Sequence, residues 1–207
     1  MKFRLYYDGP LKSNGGPADK QVLRRKFHIQ LQELIRRKPL EAFRKIHATP
    51  GSHQSATTIP LEPFKKIHTT PQPHQSATII VVEKFRFIPL ITQKLVHIVS
   101  LHITFLSPEE PGGVITQGGD LDNRIKTLLD ALRAPKSIAE LPKNDSPQPD
   151  EDPFYCLLED DNLINGLSVT VDRLLRPDAD TSEVVLLIHV IPEPTYSTIG
   201  SINWTVL

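Results

Sequence analysis

The chain has 207 residues, a single cysteine and no net charge, with equal numbers of basic and acidic side chains. One cysteine, Cys156, excludes an intrachain disulfide framework and a cysteine-only zinc site, and suits a reducing compartment. No run of apolar residues reaches the roughly 18 to 20 needed to cross a membrane, and the first residues lack a signal-peptide pattern, so no membrane partner is expected. The neutral total hides an asymmetry: residues 1–100 hold 17 Lys and Arg against 6 Asp and Glu, while residues 101–207 hold 7 against 18. A basic half suits a polyanionic partner, and an acidic half can carry metal ions; both halves can equally be solvated surface.

The first element is a strand. In KFRLYY, Phe3, Leu5 and Tyr7 alternate with Lys2, Arg4 and Tyr6, the period of a half-buried strand. A Gly- and Pro-rich loop follows, and then Leu23, Phe27, Leu31, Leu34 and Ile35 recur at helical spacing behind Asp19, a suitable N-cap. The polar face of this helix is basic and includes Arg24 and Arg25, which serve as either a solvated face or a phosphate-binding one.

Residues 39–59 and 60–80 are a tandem duplication with 15 of 21 positions identical. Two copies are too few for a solenoid, so the block reads as a surface insertion. Its histidines, His47, His53, His68 and His74, are six apart within each copy; duplication of one loop explains them more simply than a metal site.

EKFRFIPLI supplies strand material, and so does the stretch that puts His97, Val99, Leu101, Ile103 and Phe105 on one face and Ile98, Ser100, His102 and Thr104 on the other. After a Gly-rich loop comes DLDNRIKTLLDALR, expected as a helix from about Asn123 to Arg133 that buries Ile125, Leu128, Leu129 and Leu132. Residues 134–153 are Pro-rich and acidic, and are expected to be exposed and mobile. FYCLL then leads into the acidic EDD of Glu159, Asp160 and Asp161, and GLSVTVDRLL and SEVVLLIHVI give two further strands. One domain is expected, an α/β fold of the α+β type. It would be a mixed sheet of about four or five strands packed with two main helices, with insertions at 39–80 and 134–153.

Asp120 and Asp122, if extended, point to one side of the chain and can reach one ion; alternatively Asp122 caps the helix. Lys126 stands one turn after Asp122, and Asp130 one turn further, so the three form either two exposed ion pairs or a site where an ammonium meets a phosphate. Adjacent Asp160 and Asp161 are costly to crowd without a cation or solvent.

DLDN, the lysine three residues later, DAL and the later DD pair together resemble the RusA family of Holliday junction resolvases. The first strand and GPLKSN are also similar to that family's N-terminus, and the likeness covers roughly residues 1–38 and 83–192. The resemblance implies a homodimeric endonuclease that uses Mg²⁺, or Mn²⁺, to cut branched DNA in recombination and repair, cytoplasmic in setting and bacterial or phage-encoded. It implies Asp120, Asp122 and Asp161 as metal-site carboxylates, Lys126 as the catalytic lysine, and Asp160 and Asn123 as supporting residues. Arg24, Arg25 and Arg124 are the candidate DNA contacts. Thr116, Gln117, Gly118 and Gly119 precede DLDN where the family's founding members are basic. That departure keeps open a non-catalytic DNA-binding or regulatory protein with the same fold.

Overall fold

The structure, a computed structural model, describes residues 2–37, 77–94, 97–112 and 120–194, with the Asp120 and Pro194 side chains outside the description. The histidines of the duplication and all but its last four residues lie outside the described residues. In chain order the elements are β1 (Phe3–Pro10), α1 (Pro17–Arg37), β2 (Ile80–Val82), β3 (Phe85–Ile91), β4 (His97–Ser107), α2 (Asp120–Leu132), β5 (Phe154–Leu158), β6 (Ile164–Arg173) and β7 (Glu183–Pro194). Short 3₁₀ turns lie at Ile138–Glu140 and Asp161–Leu163.

The mixed α+β class stands, but the single sheet of four or five strands is corrected to two sheets. One has the order β1-β7-β4-β6, the other β2-β3-β5. β1 and β4 run antiparallel to β7, and β4 runs parallel to β6. In the smaller sheet β3 runs parallel to β5. In chain order the parallel pair β3/β5 is thus followed by the parallel pair β4/β6, with residues 92–94 leading out of β3 and residues 159–163 crossing from β5 to β6. Glu159 ties this crossing: its N–H donates to the Ile91 carbonyl at 2.9 Å, and its carboxylate accepts from the Gln93 N–H at 2.8 Å.

Apolar periodicity explains the core. Leu23, Phe27, Leu31 and Ile35 form one stripe of α1, and Ile125, Leu128, Ala131 and Leu132 one stripe of α2; both press on the inner residues of β1, β4 and β7. His97 is buried and His102 exposed, as their opposite parity requires. β5 is buried along its whole length, so FYCLL shows no alternation. Phe85, Phe87 and Phe154 form a second cluster with Leu141 and Cys156. Leu141 comes from the 134–153 segment, most of whose residues are exposed as expected; Leu141 and Glu151 are buried, and through residues 145–151 the segment docks on α1. Arg25 pairs with Asp145 at 2.8 Å and Glu151 at 2.7 Å, and the Asp150 carbonyl accepts from the Gln32 side chain at 3.2 Å. Among the described residues no helix is long and apolar enough to cross a membrane.

Candidate metal and DNA-contact site

The helix that carries DLDN begins three residues earlier than expected, at Asp120, so positions 120 and 122 both belong to its first turn. The extended geometry expected for them is therefore corrected: two residues apart on a helix, they stand about 200° apart around the axis. Asp122 is also inside the helix, where it does not act as its cap. Asp122 and Lys126, four apart, do share a face, and both are exposed.

The body of α2 is anchored on α1 and its preceding loop. Thr127 accepts a hydrogen bond from the Gly15 N–H at 3.0 Å, and a Cβ at Gly15 would come within 2.7 Å of the Thr127 methyl, so glycine lets the loop close on the helix. Asp130 is held by Lys20 at 2.7 Å and by Arg133 at 3.0 Å. These two cations keep its carboxyl below the ordinary range against the desolvation that would raise it. The expected Lys126–Asp130 ion pair is thus replaced, and among the described residues neither Lys126 nor Asp122 enters an ion pair.

The three arginines expected to contact DNA have other partners, which corrects their placement on an open surface. Arg24 is fully buried; it donates to the Asp130 carbonyl at 3.0 Å and the Glu140 carbonyl at 3.1 Å. Arg24 supplies a donor to the Asp130 carbonyl near the end of α2, where carbonyls lack the N–H of a following turn. Arg25 is committed to Asp145 and Glu151. Arg124 is buried, donates to the Thr181 carbonyl at 3.1 Å and lies 3.6 Å from Glu109, which fixes the first turn of α2 near the end of β4 and the start of β7.

The second acidic element sits elsewhere on the sheet, at the crossing beside the start of β4, where Val99 pairs with Ile164. Asp160 caps the Asp161–Leu163 turn by accepting from the Asn162 N–H at 3.0 Å, and its other oxygen lies 2.8 Å from Lys136. The Lys136 ammonium, helped by that N–H, pulls its carboxyl down to about 2. Asp161 is exposed and 3.6 Å from the same ammonium. The Ala134 N–H donates to the Leu158 carbonyl, which holds Lys136 against this turn. Lys136 is the residue that the sequence did not single out: it stands in a stretch read as loop, with nothing local to pair it with residues 160 and 161.

The described contacts therefore attach the first turn of α2, through Arg124, and the DD pair to opposite ends of β4. Among the described residues no three His, Cys, Asp or Glu side chains come close enough together to hold a metal ion. Asn123 is half-buried, between exposed Asp122 and buried Arg124. Comparison with protein-family models, with curated proteins and with solved structures returns no match.

Proposed function

We propose that the chain is a Mg²⁺-dependent endonuclease of the RusA type, cutting branched DNA as a homodimer during recombination and repair. The observation that supports this most is the placement of Asp122 and Lys126 on one exposed face of α2. A carboxylate and an ammonium stand one helical turn apart, facing solvent, while Arg124 and Asp130, the other described charges on α2, are committed to the fold.

Mg²⁺ is commonly held by only one or two carboxylates, its remaining positions taken by water and substrate phosphate. Asp122, exposed in the first turn of α2, offers a hard oxygen donor for such an ion. When bound, the ion supplies charge neutralisation at the phosphodiester and an activated water. Lys126 contributes its ammonium to a phosphate oxygen, where it offsets charge that grows as the phosphorus–oxygen bond breaks. Asp160 and Asp161, held by Lys136 beside the start of β4, take no part in this chemistry.

A second reading, a DNA-binding or regulatory protein without catalysis, is favoured by one specific observation: Lys136 already neutralises the DD pair. The two readings separate in one assay. Four-way junctions and matched duplexes are incubated with the protein in Mg²⁺, then with the Asp122→Asn and Lys126→Ala variants. Junction cleavage lost in both variants supports the enzyme; salt-dependent binding that needs neither Mg²⁺ nor Asp122, without cleavage, supports the binding protein.

A further inference from the structure

The outer face of the four-stranded sheet is the side away from α1 and α2. Its cross-strand register sets Arg4 opposite His189, His189 opposite His102, and His102 opposite Ser168, a single row over all four strands. The two imidazoles lie 6.2 Å apart between ring centroids. The neighbouring row is Tyr6, Leu187, Thr104 and Thr170, in which Tyr6 keeps 48% and Leu187 41% of its surface exposed. Among the described residues no helix or strand lies over this face.

Charge decides what such a face accepts. Lys2 projects from β1 on the same side as Arg4, and the Arg4 row contains no carboxylate. The acids of this face stand at its ends. Asp8 on β1 is held at both oxygens by Arg176, at 2.9 and 2.7 Å; Asp172 on β6 and Glu193 on β7 occupy the margins. Partial desolvation and the positive charges of Arg4, His102 and Lys2 hold the His189 imidazole below its ordinary pKa. Two rings beside two fixed cations make a poor site for a metal cation and a good one for a polyanion.

The aromatic groups refine the choice. Tyr6, His189 and His102 present ring surface where a base can stack, and stacking needs bases already separated from a duplex. The free edge of β1 is closed at this point, since the Gln30 side chain accepts from the Tyr6 N–H at 2.9 Å and donates to the Tyr6 carbonyl at 2.7 Å. A partner therefore meets the face and not the edge.

We infer that this face binds single-stranded DNA, with Tyr6 and the two imidazoles stacking on bases and Lys2 and Arg4 meeting phosphates. The inference rests on the proposed DNA reading for the choice of DNA over RNA, and it gives DNA a contact surface that Arg24, Arg25 and Arg124 do not supply. A phosphate close to His189 favours its protonated form. Affinity is then fully present below the free imidazole pKa and is lost as pH rises through the higher bound value.

The test is fluorescence anisotropy of a labelled oligothymidine with the full chain in EDTA, at pH 6 and pH 8. Binding is expected to be at least about threefold tighter at pH 6, with the difference abolished in a His102→Ala, His189→Ala double variant. Tyr6→Ala and Arg4→Gln are each expected to weaken binding by about fivefold or more, and Tyr6→Phe to retain it, with thermal melts unchanged. No binding by the unmodified protein would overturn the inference, as would affinity and pH slope untouched by these variants. Tighter binding of oligouridine, or variants that dissociate an oligomer without weakening binding, would also overturn it. Metal is absent, so this failure leaves the nuclease proposal standing; a chain that binds through Tyr6 and Arg4 yet never cuts in Mg²⁺ removes the nuclease proposal alone.

Discussion

The Lys136 ammonium lies 2.8 Å from the Asp160 carboxylate and 3.6 Å from that of Asp161, so one side chain from the 134–153 segment neutralises the adjacent acidic pair. Without it, two carboxylates on consecutive residues would repel each other at the point where the chain crosses between sheets. The pair is therefore explained in structural terms, as a turn cap and its neighbour facing one ammonium.

This relationship sets a pH dependence. The Asp160 carboxyl is held down at about 2, below its unfolded value, so the contribution it makes to stability is present above about pH 4 and lost as pH falls toward 2. Lys136→Ala is expected to return the Asp160 pKa toward the ordinary value of about 3.9, read by NMR titration of the side-chain carboxyl. A carboxyl that still titrates near 2 in the variant would show that the Asn162 N–H, and not the ammonium, holds it down.

Arg24 gives a stability prediction. Its side chain is buried and serves two backbone carbonyls that have no other described donor among side chains, so Arg24→Ala should destabilise the fold by about 3 kcal/mol. Chemical denaturation measures this. An unchanged midpoint with weakened DNA binding would instead restore Arg24 to the DNA surface.

Lys126 should behave in the opposite way. It enters no ion pair among the described residues, so Lys126→Ala is expected to change stability by less than about 0.5 kcal/mol. Cleavage of a junction should fall by about a hundredfold in the same variant. A large loss of stability would mean that the lysine supports the helix and not the reaction.

How much of this was legible in the sequence follows from where each signal is stored. The alternation of Phe3, Leu5 and Tyr7 and the stripe of Leu23, Phe27, Leu31 and Ile35 are local, and both elements form where those patterns lie. β5 carries no alternation because both of its faces are buried, and β2 is only three residues long at the tail of a duplication, so the second sheet left little trace. Arg24 looks like any polar-face arginine until the 134–153 segment folds over it. Charged residues whose partners lie more than a hundred positions away cannot be sorted by spacing, and Arg24, Arg25 and Lys20 are all of that kind. Asp122 and Lys126 were legible as a pair because four residues on a helix is a local relation; the placement of Asp161 relative to them was not.

The central claim is that Asp122 serves Mg²⁺-dependent cleavage of branched DNA, and a junction-cleavage assay tests it most directly. The unmodified protein in Mg²⁺ should nick a four-way junction and not its matched duplex, EDTA should abolish the cut, and Asp122→Asn should lower the rate by at least about a hundredfold with an unchanged melt. Equal rates for the two proteins, or no cleavage by either, would contradict the account.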